Sequence, residues 1–230
     1  MSEDPIEYRI SDPANQTPLK REAGQSDEEA WQASIKNAMR LDPDVLMLGE
    51  IRDSGSARMA IQGALTGHGL WSTLHTKDAT SSLQRLLDLG VAPALVLDPG
   101  LIKGVVSQSL TRVLCPECKV PYSAHKQRLD EELQQRIESM CIADNVYLRG
   151  EDPQCPKCTG KGIVGRIVCA EVIIPNLKYM RIFRDKGKAE AHAYWVTHMG
   201  GITKTQAAIR HINKRPCRSA LGGTRYWPAG

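Results

Sequence analysis

The chain has 230 residues, 41% of them hydrophobic and 24% charged, with a formal net charge of +4. That length allows one full core with a smaller second module, and the hydrophobic share excludes wholesale disorder. Aromatic residues make up only 5%, which argues against a surface that stacks single-stranded nucleic acid.

No stretch reaches the roughly 20 apolar residues of a membrane span. The acidic start MSEDPIEYR has no apolar signal region, so the expected location is cytoplasmic. From Asn176 onward eleven Lys/Arg face two acidic residues, while the preceding part is net acidic. A basic end of this kind can touch nucleic acid or anionic lipid, but a solvated helical surface is the simpler reading.

In chain order, Pro5, Pro13, Pro18 and Gly24 break the first 25 residues into strand remnants and loop. Ser26 and Glu29 have capping-box spacing and open a helix whose one face carries Trp31, Ile35, Ala38 and Met39. That helix should stop before Asp42-Pro43. Val45 to Leu48 reads as a buried strand ending at Gly49-Glu50. Asp53 or Ser54 caps a second helix containing Met59, Ile61, Ala64 and Leu65 and closed by Gly67. Leu70 to Leu74 is a further strand, ending near His75, and Asp78 begins a helix through Leu83, Leu86 and Leu87 that Gly90 ends. Strand and helix in short alternation predict an α/β unit with a parallel sheet, whose site lies beyond the carboxyl ends of the strands. Glu50 and His75 both fall at such ends.

After Leu114 the texture changes. CPEC and CPKC place Cys115, Cys118, Cys155 and Cys158 as two C-x2-C pairs with 36 residues between them. Two such pairs supply four thiolates for a closed, tetrahedral, structural zinc site. The alternative is a pair of redox-active or incidental dithiols. The spacing exceeds that of a simple ribbon, so Asp130 to Met140 should loop out as a helix. Cys141, Cys169 and Cys217 stand alone and read as plain thiols. Helices are expected around Leu177–Arg184, Ala189–His198 and Lys204–Asn213, and the tail PCRSALGGTRYWPAG has no periodicity.

A strand-ending Glu50, the nearby His68 and His75, and the flanking Arg40 and Arg52 can order water and neutralise phosphate charge. Near the start, EDPIEY adds a second acidic motif. These stretches, EDPIEY, then LDPDVLMLGEIRD, then AIQGALTGHGLWSTLHTKDA, then RLLDLGV, resemble the ATPase family of type II secretion, type IV pilus assembly and conjugation. Their order matches that family's aspartate box, Walker B motif and histidine box, and the four cysteines resemble the zinc-binding insertion of its secretion and pilus-extension branch. The resemblance covers roughly residues 3–210.

It implies a partial RecA-like P-loop domain over residues 1–114, a tetracysteine module over 115–172, a C-terminal helical segment over 173–215 and a loose tail over 216–230. It implies Glu50 as the water-polarising residue and Glu3 as the aspartate-box carboxylate. It also implies His68 and His75 as γ-phosphate sensors, with Arg40 and Arg52 as phosphate-compensating charges. In the complete family protein it implies ATP and Mg²⁺, a homo-hexamer, and an inner-membrane platform that holds the motor peripherally at the membrane. Direct nucleic-acid binding is not implied.

Two departures stand out. No G-x-x-x-x-G-K-[ST] occurs in the 230 residues, and Ser109 stands where the family usually has Arg after Gln. The expectation is therefore the C-terminal catalytic portion of such a motor, with little hydrolysis of its own. A non-catalytic subunit docking on full-length homologues and a zinc-ribbon module binding nucleic acid through its basic end are the alternatives.

Overall fold

The computed structural model describes residues 1–10 and 14–214. The expectation for residues 216–230, and Cys217 with it, lies outside the described residues. The chain divides into two compact units, one of residues 1–107 with 171–202, the other of residues 108–170 with those from 203 on.

The first unit opens with two short strands, β1 (Ser2–Glu3) and β2 (Thr17–Pro18). Helix α1 (Asp27–Met39) follows its capping box, in which the Glu29 amide donates to Ser26 Oγ at 3.3 Å and the Ser26 amide to Glu29 Oε2 at 2.9 Å. Then come β3 (Val45–Leu48), α2 (Ser54–Leu65), β4 (Gly69–Ser72), α3 (Ala79–Asp88) and the short α4 (Pro93–Val96). Asp53 caps α2 and Asp78 caps α3, because a side-chain oxygen there satisfies amides that the first turn leaves unpaired.

The sheet order is β2-β1-β3-β4 and every pairing is parallel. Val45 faces Gly69 and Leu48 faces Ser72, so the crossover through α2 makes β3 and β4 neighbours, as the helix between them requires. The carboxyl ends of β1, β3 and β4 therefore share one edge.

The buried-strand reading of β3 needs correction. Leu46 and Leu48 are 3% exposed, but Val45 is 56% exposed, and Trp71 of β4 is 66% exposed. Side chains alternate along a strand, so Leu46 and Leu48 enter the core while Val45 and Met47, the latter with Trp71 opposite it in register, lie on the other face. A short apolar run does not by itself distinguish one covered face from two.

The second unit begins within β5 (Val105–Leu114) and holds β6 (Val120–Pro121), α5 (Tyr122–His125), α6 (Glu131–Met140) and β7 (Tyr147–Leu148). It leaves through β8 (Ile163–Ile173), which pairs with β5 in a two-stranded sheet. The helix expected over Asp130 to Met140 is α6, with Asp130 as its cap.

Back in the first unit, α7 (Leu177–Lys186) and α8 (Lys188–His198) bury Tyr179, Met180, Phe183 and Trp195 with Trp31, Ile35, Leu83 and Val96 in one core. The Trp195 indole N–H donates to the Val172 carbonyl at 3.1 Å, which satisfies its polar end inside that core. Helix α9 (Lys204–Asn213) belongs to the second unit, where Asn213 Oδ1 accepts from the Ile142 amide at 2.8 Å. No helix among the described residues is long and apolar enough to cross a membrane.

Candidate functional site

Glu50 is the second residue past β3. Its backbone position is fixed by the extended pairing with β4: Thr73 Oγ1 donates to the Gly49 carbonyl at 2.6 Å and the Ile51 amide to the Thr73 carbonyl at 2.9 Å. On the other side the Gly49 amide donates to the Ser2 carbonyl at 2.8 Å. A Cβ on Gly49 would lie 3.2 Å from Glu3 Cα and 3.3 Å from the Ser2 carbonyl oxygen, so glycine lets β1 come this close. Glu3 is thereby held beside the residue that precedes Glu50, and its Oε2 accepts from Gln16 Nε2 at 2.8 Å.

The Glu50 carboxylate is gripped by two bases. Arg52 Nε donates to Oε2 at 2.7 Å, and His75 Nε2 lies 3.2 Å from Oε1. The Glu50 side chain is 18% exposed, whereas those of Arg52 and His75 are 63% and 88% exposed, so both basic side chains face outward from the sheet edge. Arg52 is steadied by its backbone, whose amide donates to Ser56 Oγ and whose carbonyl accepts from Arg85 of α3, each at 3.2 Å.

One site neighbour, Arg21, escapes sequence reasoning. Arg21 makes two hydrogen bonds to Asp4, and these, with the added charge of Arg52, outweigh partial burial and hold the Asp4 carboxyl below its ordinary value. Arg21 lies in TPLKREAG, which matches no motif, and only the parallel pairing of β1 with β2 brings it to Asp4.

His68 and Arg40 sit elsewhere. Arg40 is the exposed C-cap of α1, before β3, and His68 precedes β4, so both belong to the amino-terminal edge of the sheet. Among the described residues neither makes a hydrogen bond or ion pair with Glu50. The Thr66 hydroxyl donates to the Gly63 carbonyl at 2.8 Å and meets His68 Nδ1 at 2.9 Å. Its single proton is already used, so His68 Nδ1 carries a hydrogen and its Nε2 is left as an acceptor when the ring is neutral.

The four cysteines of the two pairs converge in the second unit, their sulfur atoms all within 4.8 Å of one another. Cys115 and Cys155 sulfurs are 3.7 Å apart, and Cys118 and Cys158 sulfurs 3.6 Å. A tetrahedral ion with 2.3 Å sulfur bonds has edges of about 3.8 Å, so the donor set fits zinc. Each pair closes a matching turn: the Lys119 amide donates to the Cys115 carbonyl at 3.1 Å and the Thr159 amide to the Cys155 carbonyl at 2.9 Å. The Gly162 amide donates to Cys158 Sγ at 3.1 Å. Burial alone would raise the Cys115 thiol, but the Cys118 and Glu117 amides and the neighbouring sulfurs bring it down to about 7. Burial and the sulfurs of Cys158, Cys115 and Cys155 push Cys118 up to about 12. Four crowded sulfurs cannot all ionise without a cation among them.

Gly150 makes the packing of this centre possible. A Cβ there would lie 1.7 Å from the Cys118 carbonyl oxygen. Gly150→Ala should therefore displace the first knuckle and lower bound zinc from about one ion per chain towards none, read by elemental analysis of the purified variant.

The α/β layer with its parallel sheet is a fold that solved structures share. The pilus retraction motor PilT with bound ADP aligns with a TM-score of 0.52 at 22% identity, over 94% of this chain and 52% of that one. The Legionella pneumophila ATPase DotB aligns at 0.56 and 19% identity, over 93% and 47%. The chain belongs to the family described as type II/IV secretion system protein, whose model matches residues 1–215. The type II secretion system ATPase E of Vibrio cholerae is 38% identical over 189 residues, 82% of this chain and 35% of that protein. The type IV pilus assembly ATPase TfpB of Acinetobacter baylyi is 43% identical over 148 residues, 64% and 24%. The chain thus spans about a third or less of the length of these relatives.

Proposed function

We propose that this chain supplies the water-activating edge and the zinc-bearing module of an ATP-driven motor for protein secretion, type IV pilus assembly or conjugative transfer. The observation that carries this is Glu50 held between Arg52 and His75 at the carboxyl edge of a parallel sheet. In this reading Glu50 Oε accepts the proton of the water that attacks the γ-phosphorus, with the leaving β-phosphate in line. Arriving phosphate oxygens compete with Glu50 for Arg52 and His75, which frees the carboxylate as the substrate binds. Glu3, beside Gly49, would orient that water or the Mg²⁺ that accompanies ATP. His68 and Arg40, on the other edge, suit contacts at a subunit border. Zinc on Cys115, Cys118, Cys155 and Cys158 supplies structural cross-linking of its module.

The motor acts as a homo-hexamer, in the cytoplasm and peripherally at the inner membrane through a platform partner. The chain as such serves as the C-terminal catalytic portion. A non-catalytic subunit that docks on longer homologues is the second reading, favoured by the absence of a G-x-x-x-x-G-K-[ST] loop from these 230 residues. That loop's amides and lysine provide most phosphate contacts in P-loop enzymes. Steady-state phosphate release from the purified 230-residue chain should therefore stay at background with saturating MgATP. Turnover in the ordinary motor range that Glu50→Gln abolishes would show that this chain binds nucleotide unaided, and would overturn its assignment as a dependent portion.

A further inference from the structure

Among the described residues the interior holds one buried acidic side chain, Glu171, 4% exposed. Burying a carboxyl group is costly unless it is partnered. Glu171 lies near the end of β8, and its Oε2 accepts a hydrogen bond at 3.0 Å from the amide of Ala79, the first residue of α3 and 92 positions away in sequence. The α3 cap, Asp78, is occupied with the Ser81 amide at 2.7 Å, so Glu171 satisfies a second of the amides that the first turn leaves open. Beside it the Tyr179 hydroxyl donates to Thr80 Oγ1 at 3.3 Å, inside the same core.

The segment before α3 carries His75. Only Thr76, Lys77 and Asp78 separate His75 from Ala79. That link is tied internally, with Thr76 Oγ1 at 3.2 Å from the Asp78 carbonyl and 2.8 Å from Ser82 Oγ. Its other end is pinned at Thr73, which bonds to Gly49 and Ile51 on either side of Glu50. His75 therefore hangs on a short span with two anchors, one at the Glu50 turn and one at Glu171.

We propose that Glu171 is the positioning residue of this span: by holding the α3 amino terminus it sets the place of His75 relative to Glu50. The proposal rests on the reading of Glu50 and His75 as one hydrolytic pair, but its test needs no turnover. The probe is the imidazole NMR signal of His75 in the histidine-labelled 230-residue chain, assigned with His75→Gln. Glu50→Gln reports whether the two side chains sense each other.

In Glu171→Ala the His75 signal moves and loses its response to Glu50→Gln. Ala79→Pro deletes the donor amide instead. Proline suits the first helical position, and Asp78, at φ −148° and ψ 170°, already has the extended backbone that a residue before proline needs. It should give the same change, which keeps the proposal testable if Glu171→Ala fails to fold. Glu171→Gln retains an acceptor oxygen and keeps the parent signal. Ile35→Ala in α1 lowers the melting temperature without moving His75. The proposal is overturned if Glu171→Ala or Ala79→Pro melts early yet leaves the His75 signal and its Glu50 response unchanged. A parent chain in which Glu50→Gln does not touch His75 would instead count against the hydrolytic pair, while a Glu171-dependent shift of His75 would still support the anchor.

Discussion

Cys158→Ser should strip the chain of zinc and unfold residues 115–170 while the first unit stays intact. Cys158 is 4% exposed, its sulfur is 3.6 Å from that of Cys118, and it accepts the Gly162 amide. Serine oxygen sits closer to the backbone and does not ionise at neutral pH, so it cannot replace a thiolate ligand. The second unit has little else to hold it. Apart from cysteines, its buried apolar residues are Tyr122 and Val146 among those described. Small modules of this kind depend on a metal or disulfides for their stability. Structural zinc contributes an apparent ~10–16 kcal/mol to such modules, comparable to the whole stability of a typical domain at ~5–15 kcal/mol. Metal content should fall with loss of protease resistance in residues 115–170. Acid should release the metal from the parent chain, because protons compete for the same sulfurs. A metal-free sample whose 115–170 segment still resists protease would defeat this assignment.

The meeting of the four cysteines was legible in the sequence because the pattern that marks each pair is local. Each C-x2-C pair dictates its own turn, and the only long-range requirement is that two turns meet. Glu50 and His75 were nearly as legible. Strand ends are marked by Asp-Pro-Asp before β3 and by capping residues after β3 and β4, and a right-handed crossover through α2 leaves few alternatives to parallel neighbours. What escaped depends on distant pairing. Nothing local places Arg21 beside Asp4, and Glu171 reads as one acid in an apolar strand until β8 meets α3. The half-exposed face of β3 was misjudged for a related reason. VLML satisfies the pattern of a strand covered on both faces, and only the packing reveals that Leu46 and Leu48 alone are covered. His68 and His75 look equivalent as motif residues. Their separation onto opposite sheet edges follows from seven residues of nearly extended chain through β4, about 23 Å at strand rise.

In the proposed reading, a motor built by placing these residues in the matching stretch of the Vibrio cholerae relative should have two histidines that fail differently. His75 stands 3.2 Å from Glu50, and in the proposed reading it meets the γ-phosphate as charge develops there. A group of that kind acts on the transition state more than on bound substrate. His75→Ala should therefore lower kcat with little change in nucleotide affinity. Loss of one such donor costs roughly 2.7–4 kcal/mol, or about 10²–10³ in rate. Glu50→Gln, which removes the base but keeps the shape, should lower kcat by about 10²–10⁴. His68 presents an acceptor nitrogen in its neutral form and lies at the amino-terminal edge, away from Glu50. His68→Ala should leave single-site chemistry nearly intact and change how activity depends on protein concentration, as expected for a residue at a subunit border. The two effects separate in one data set of kcat and KM measured across a dilution series. If the imidazoles serve only to satisfy local polar groups, both variants will melt earlier and keep the parent kcat per folded subunit. That outcome would remove both histidines from the site and leave Glu50 and Arg52 as its only supported members.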